Sequence, residues 1–190
     1  MTHTNARTLR NALTAALEGT ASDETRPVLE TVHVTIGSSQ AVFTGMDGWI
    51  VIQARIPIND GPATPISAML QRGDVIGTIK RLRSYGNTDV PLDIGVTTWS
   101  CGEQIMALAD FAKRPDQRDV FKMSLASGQP PFKLVDPKLM QRALKYAPSA
   151  VRIELHDMTL LVSGEEYRAV VMGMTGGKNR TFAFTHLEAN

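Results

Sequence analysis

Apolar and polar positions alternate between two periods along this chain, and the change from one to the other recurs. In "ARTLRNALTAALEG" Leu9, Ala12, Leu13, Ala16 and Leu17 return at helical spacing, with Arg7, Arg10, Asn11 and Thr14 on the other side. Gly19 ends that pattern and Pro27 disfavours its continuation. From Val32 the period drops to two: Val32, Val34 and Ile36 alternate with Thr31, His33 and Thr35, as in a strand buried on one face. "QAVFTG" and "WIVIQARIPI" follow as strands, separated by the turns "GSS" and "MDG" and closed by Asn59-Asp60-Gly61-Pro62. A helix followed by three antiparallel strands is the first predicted unit.

The order repeats. "DVIGTIKRLRSYG" predicts a helix over 74–85 capped by Asp74, followed by strands in "VPLDIGVTTW", "EQIMALADF" and "RDVFKMSLA". A third helix, 136–146, begins with Asp136 as N-cap and Pro137 as its first residue, and Pro148 marks its exit. "AVRIELHD", "MTLLVSG" and "EYRAVVMGM" then read as strands. Three rounds make an internal repeat of roughly 60 to 65 residues, carried by pattern more than by residue identity. The fold class is α+β, and the expected division is 1–125 for two units, 126–176 for the third, and 177–190 for a tail or short strand.

Bulk properties narrow the function little. The 190 residues carry a net charge of +1, with 43% hydrophobic and 21% charged residues, ordinary for a soluble protein. Cys101 is the single cysteine, so no internal disulfide forms, and a reducing, cytoplasmic setting follows. No apolar run reaches the roughly 18 residues of a membrane span. The Arg-, Thr- and Ala-rich start has the composition of a transit peptide, but its pattern runs straight into strand signals and reads better as a first helix.

The position of the charges says more than their sum. The helices hold eight basic residues, Arg7, Arg10, Lys80, Arg81, Arg83, Lys138, Arg142 and Lys145, against three acids, Glu18, Asp74 and Asp136. They carry +5 and the rest of the chain −4. Lys138, Arg142 and Lys145 fall within about 60° of one another around their helix. A basic helical surface of this kind attracts a phosphate backbone without reading sequence. The plainer reading is that Lys and Arg commonly occupy helix exteriors.

Catalytic chemistry is hard to assemble. His3, His33, His156 and His186 share no metal-ligand spacing, and Cys101 has no nearby histidine in sequence. "TGGKN" lacks P-loop spacing, and the neighbouring acids Glu165 and Glu166 point to opposite faces of a strand, which argues against a catalytic pair. No enzyme activity, cofactor or metal is expected.

Repeated helix-plus-strands units with basic helices resemble the bacterial DNA sliding clamp family, the beta subunit of DNA polymerase III. "RTLRNALTAAL", "DETRPVLETVHVTI" and "AVFTGMDGWIVIQARIPI" resemble one half-domain of that family, with its Arg-Pro-(Val/Ile)-Leu strand entry and Asp-Gly turn. "FKLVDPKLMQRALKYAPSAVRIELHDMTLLVSGEEYRAVVMGM" resembles its C-terminal half-domain, and "RGDVIGTIKRLRS" matches more weakly. The resemblance spans residues 3 to 174 and rests on the ordered combination. It implies a DNA-clamp-like fold with helices on one face and sheets on the other, and a non-enzymatic processivity factor encircling duplex DNA. The eight basic residues above would face the DNA.

It also implies an outer-face site where a DNA polymerase or other replication or repair protein docks a short peptide. The matching positions are Asp47, Gly48, Trp49, Ile50 and Val51 with Val170, Val171, Met172, Gly173 and Met174. Trp49 and Ile50 stand where the family pattern has polar residues, and Gly173 where it has proline. The alternative for Trp49, Met172 and Met174 is plain core. Three units per chain, where the family has six, imply a homo-oligomer if a ring closes: a tetramer, or a trimer if a fourth unit is hidden. A clamp-fold interaction or ligand-sensing module that no longer binds DNA is the other reading.

Overall fold

The computed structural model describes residues 2–22, 26–110, 135–147, 151–156 and 159–172. The first unit opens with a strand that the sequence pattern did not signal, β1 (Thr2–Asn5), followed by α1 (Ala6–Gly19). Asn5 caps the helix, its side-chain oxygen accepting from the backbone N–H of Arg7 and Thr8. Leu9, Leu13 and Ala16 are fully buried, as the helical period requires. A 3-10 turn (Pro27–Glu30) leads into β2 (Val32–Ile36), β3 (Gln40–Met46) and β4 (Ile50–Pro57), an antiparallel meander.

Gly19 does more than end α1. A Cβ on Gly45 of β3 would stand 1.8 Å from the Ala16 carbonyl oxygen, and one on Gly19 would stand 2.7 Å from that of Gly45. The helix therefore lies against the sheet at a distance that only two glycines permit.

The second unit repeats the scheme: β5 (Ile66–Leu70), α2 (Arg72–Tyr85), β6 (Asp89–Ile94), β7 (Thr98–Cys101) and β8 (Gln104–Ala107). Asp74 is not the cap of α2. Gln71 holds that position without a side-chain bond, and Asp74 sits in the first turn, where its charge still suits the helix dipole. The single strand expected from "VPLDIGVTTW" is two, folded at Gly95, whose N–H donates to the Thr98 carbonyl. The strand expected at "RDVFKMSLA" lies outside the described residues.

The two units exchange their first strands. β1 pairs with β6 of the second unit, and β5 pairs with β2 of the first. Their helices pack against each other, and α1 also covers β3 and β4.

The third unit contains α3 (Pro137–Lys145), β9 (Arg152–His156), β10 (Thr159–Ser163) and β11 (Tyr167–Met172). Asp136 caps α3 by accepting from Lys138 N–H, with Pro137 as first residue. Strand β11 pairs with β4, giving a seven-stranded sheet in the order β5-β2-β3-β4-β11-β10-β9 beside a four-stranded one, β1-β6-β7-β8. On the helix side of the larger sheet, Ala68, Val34, Phe43, Ala54 and Tyr167 lie in one register row. The Tyr167 hydroxyl donates to the Ala143 carbonyl at 2.5 Å and ties α3 to the sheet.

Candidate nucleic-acid interface and outer-face site

The eight basic residues predicted to share one role divide into two groups. Arg7, Lys80, Arg81, Arg83 and Lys138 are exposed and Arg10 is half-buried. Among the described residues these six side chains make no ion pair. On α2 the buried positions Val75, Thr78 and Leu82 mark the inner side, which places Lys80 opposite them with Arg81 and Arg83 flanking. Arg7 stands opposite the buried Leu9, Leu13 and Ala16 of α1 in the same way.

Arg142 and Lys145 are engaged by acidic groups of the protein itself, Arg142 partly buried and Lys145 at the surface. Arg142 Nη1 lies 2.7 Å from Asp47 Oδ2, while its Nη2 and Nε donate to the Glu18 carbonyl at 2.5 and 3.2 Å. Lys145 Nζ is 3.0 Å from Glu18 Oε2, and this bond is the main cause of its raised pKa. The helical spacing that groups Lys138 with Arg142 and Lys145 is real, but acids from other elements reach the latter two.

Arg72 was not singled out by its sequence context. Its guanidinium donates to the carbonyls of Leu17 and Ala21 and to the Thr20 hydroxyl. Helix α1 carries Glu18 and no basic residue in its last turn, so its terminal carbonyls lack a local cation. Arg72 at the start of α2 and Arg142 of α3 supply that charge from the second and third units. Thr14, Glu18, Asp47, Tyr146 and the two arginines line a cavity of about 330 Å³ beside this junction.

Asp47, which meets Arg142 at this junction through Oδ2, also closes the turn before β4. Its Oδ1 accepts from the N–H groups of Trp49 and Ile50 at 2.8 and 2.9 Å, and Gly48 adopts φ +95°. Val51 faces Val170 and Ile50 faces Val171 across the β4–β11 ladder, and Met172 N–H donates to the Trp49 carbonyl at 2.8 Å. The two sequence segments proposed as one site are thus neighbours.

Their side chains are not equally available. Ile50, Val51, Val170 and Val171 are 4% exposed or less, so they belong to the core, and Asp47 is committed to its turn and to Arg142. Trp49 is 56% exposed, against the reading of it as core. Gly48 is exposed and Met172 half-buried. Gly173 and Met174 lie outside the described residues.

Other candidate chemistry stays apart. Cys101 is buried, and burial pushes its thiol up to about 11. Among the described residues no three His, Cys, Asp or Glu side chains gather as metal ligands. Glu165 and Glu166 lie in the bend before β11, both exposed, and not on a strand as expected. Among the described residues no helix is long and apolar enough to cross a membrane.

This architecture, with paired helices on one face and antiparallel sheets continuing edge to edge on the other, is the sliding-clamp fold. The chain is similar to the DNA polymerase III beta subunit of Thermotoga maritima, with a TM-score of 0.78 at 13% identity over 93% of this chain. Sliding clamps from Pseudomonas aeruginosa and Bacillus subtilis give TM-scores of 0.73 and 0.71 at 13% and 12% identity, over 91% and 92% of this chain. This chain spans 66%, 66% and 64% of those three chains, in that order. No protein-family model matches the sequence, and no curated protein does. At these identities the structural likeness shows the fold alone.

Proposed function

We propose that this chain is a non-enzymatic DNA-tethering factor that holds duplex DNA against its helical face without reading sequence, and docks partner peptides beside Trp49. The observation that carries the reading is the set of cations Arg7, Arg10, Lys80, Arg81, Arg83 and Lys138, on α1, α2 and α3 of a clamp fold, which make no ion pair among the described residues. Mobile phosphate contacts from such side chains attract DNA while leaving it free to slide. Solved structures with this fold are named as DNA polymerase III beta subunits and DNA polymerase sliding clamps, which supports a replication or repair partner.

Binding to a labelled duplex across a salt series tests this. Six phosphate contacts give a slope of log K against log salt of about −5, and each cation removed lowers its magnitude by roughly 0.9. Combined Lys80→Glu, Arg81→Glu and Arg83→Glu substitutions should abolish binding with the fold intact; unchanged affinity would refute the assigned face. Retention on circular but not linear DNA tests encirclement.

The reading as a clamp-fold interaction module without DNA binding draws on one specific observation. Arg142 and Lys145 are spent on internal acids while Trp49 is open to solvent. Trp49→Ala, with DNA affinity and partner capture measured side by side, separates the two.

A further inference from the structure

We propose that Arg142 is a positioning residue for the Trp49 turn, fixing from the third unit the direction in which the first unit presents its exposed tryptophan. The turn Asp47-Gly48-Trp49-Ile50 has little of its own to hold it. Gly48 brings no side chain and adopts φ +95°, and the Trp49 ring is 56% exposed, so packing secures less than half of it. The direction of the ring is therefore set by the backbone that carries it.

Within the turn, the Asp47 N–H donates to the Ile50 carbonyl at 3.2 Å. The other bonds that hold the turn lead to the third unit. Asp47 Oδ1 accepts from the N–H groups of Trp49 and Ile50 at 2.8 and 2.9 Å, while Oδ2 of the same carboxylate meets Arg142 Nη1 of α3 at 2.7 Å. The Trp49 carbonyl accepts from Met172 N–H of β11 at 2.8 Å.

The Asp47 side chain is only 12% exposed, and a carboxylate so placed needs a counter-charge to stay ionised out of water. Arg142 supplies it with a fork that a lysine does not have. Its Nη1 reaches Asp47 while Nη2 and Nε donate to the Glu18 carbonyl at 2.5 and 3.2 Å, so one planar group sets the carboxylate against the end of α1. Helix α3 is itself seated by the Tyr167 hydroxyl on the Ala143 carbonyl and by Lys145 on Glu18. Direct contacts thus run from the seat of α3 to the two N–H groups that carry Trp49. Helical spacing groups Arg142 with the DNA-facing cations, and the structure gives it this task in place of that one. Its consequence for a partner rests on the docking reading above; the hold on the turn does not.

Amide hydrogen exchange in the full chain tests the hold. Arg142→Met leaves the Asp47 charge unpaired, and exchange at Trp49 and Ile50 should quicken roughly 10- to 100-fold, the contribution of one hydrogen bond to a charged group. Asp47→Asn keeps an acceptor for those amides but sets a donor against the guanidinium, and should quicken them too. Combining the two removes both the unpaired charge and the opposed donors, so the double variant should exchange more slowly than either single one. The β2–β3 ladder should keep its protection in all three. Unchanged exchange at Trp49 and Ile50 in Arg142→Met, acceleration spread evenly over the sheet, or additive effects in the double variant would overturn the proposal. If Arg142→Met does not fold, Arg142→Lys decides: it keeps the charge without the fork, and should quicken the same two amides by a smaller factor, whereas no change overturns the proposal. A Trp49→Ala chain that still captures its partner would remove the docking reading and leave this inference standing.

Discussion

Burial of single groups gives this protein a definite alkaline response. The Cys101 thiol, raised by burial from 9.0 to about 11, holds its proton more tightly in the folded chain than in the unfolded one. That contribution is complete below about pH 9 and is lost as pH climbs toward about 11, at about 1.4 kcal/mol per pH unit. Tyr167, raised by burial, acts in the same direction at higher pH, and Lys145 adds little because its side chain is half exposed. Urea unfolding across that window should show stability falling with pH, and Cys101→Ala should flatten the fall. An identical slope in the variant would mean that burial of the thiol is not its cause. The same burial makes Cys101 slow to react with thiol reagents until the chain unfolds.

At the scale of elements, packing distance separates glycines that look alike in sequence. Gly45→Ala drives a methyl group into the Ala16 carbonyl at the α1–β3 contact, backbone against backbone, and should cost about 3 kcal/mol or more. Gly77 lies inside α2, where a Cβ meets nothing nearer than the Arg81 guanidinium at 3.6 Å, so Gly77→Ala should stabilise by about 0.5–1 kcal/mol. Denaturant midpoints of the two variants should move in opposite directions. Elements with a long period were legible in the sequence: Leu9, Leu13 and Ala16 marked α1, and Asp136-Pro137 marked the start of α3. The strands β1 and β5 were not, because "THTN" is polar and "ISAML" has no alternation, and both owe their strand form to partners in another unit. The site divided in the same way. Exposed cations on helix exteriors follow from periodicity, whereas the loss of Arg142 to Asp47 and Glu18 joins positions 95 and 124 residues apart. No local pattern encodes such a pair.

For the whole molecule, strand exchange means that damage at one point of the chain appears elsewhere in sequence. Residues Thr2–Thr4 adjoin α1 but pair with β6, His3 exchanges backbone hydrogen bonds with Asn59, and Thr4 Oγ1 donates to the Pro57 carbonyl. A chain beginning at Asn5 keeps the cap of α1 and loses these contacts. Each net hydrogen bond contributes about 1 kcal/mol, so the truncation should cost about 2–4 kcal/mol. Hydrogen exchange should locate that cost at Asp89–Ile94 and around residues 57–59. The β2–β3 ladder, with β5 still on its edge, should keep its protection. Loss confined to α1, or spread evenly over both sheets, would mean that β1 supports its sequence neighbour and that the two units are not joined by exchange. Selective loss in β6 would show that neither unit is self-sufficient, each depending on a strand that the other supplies.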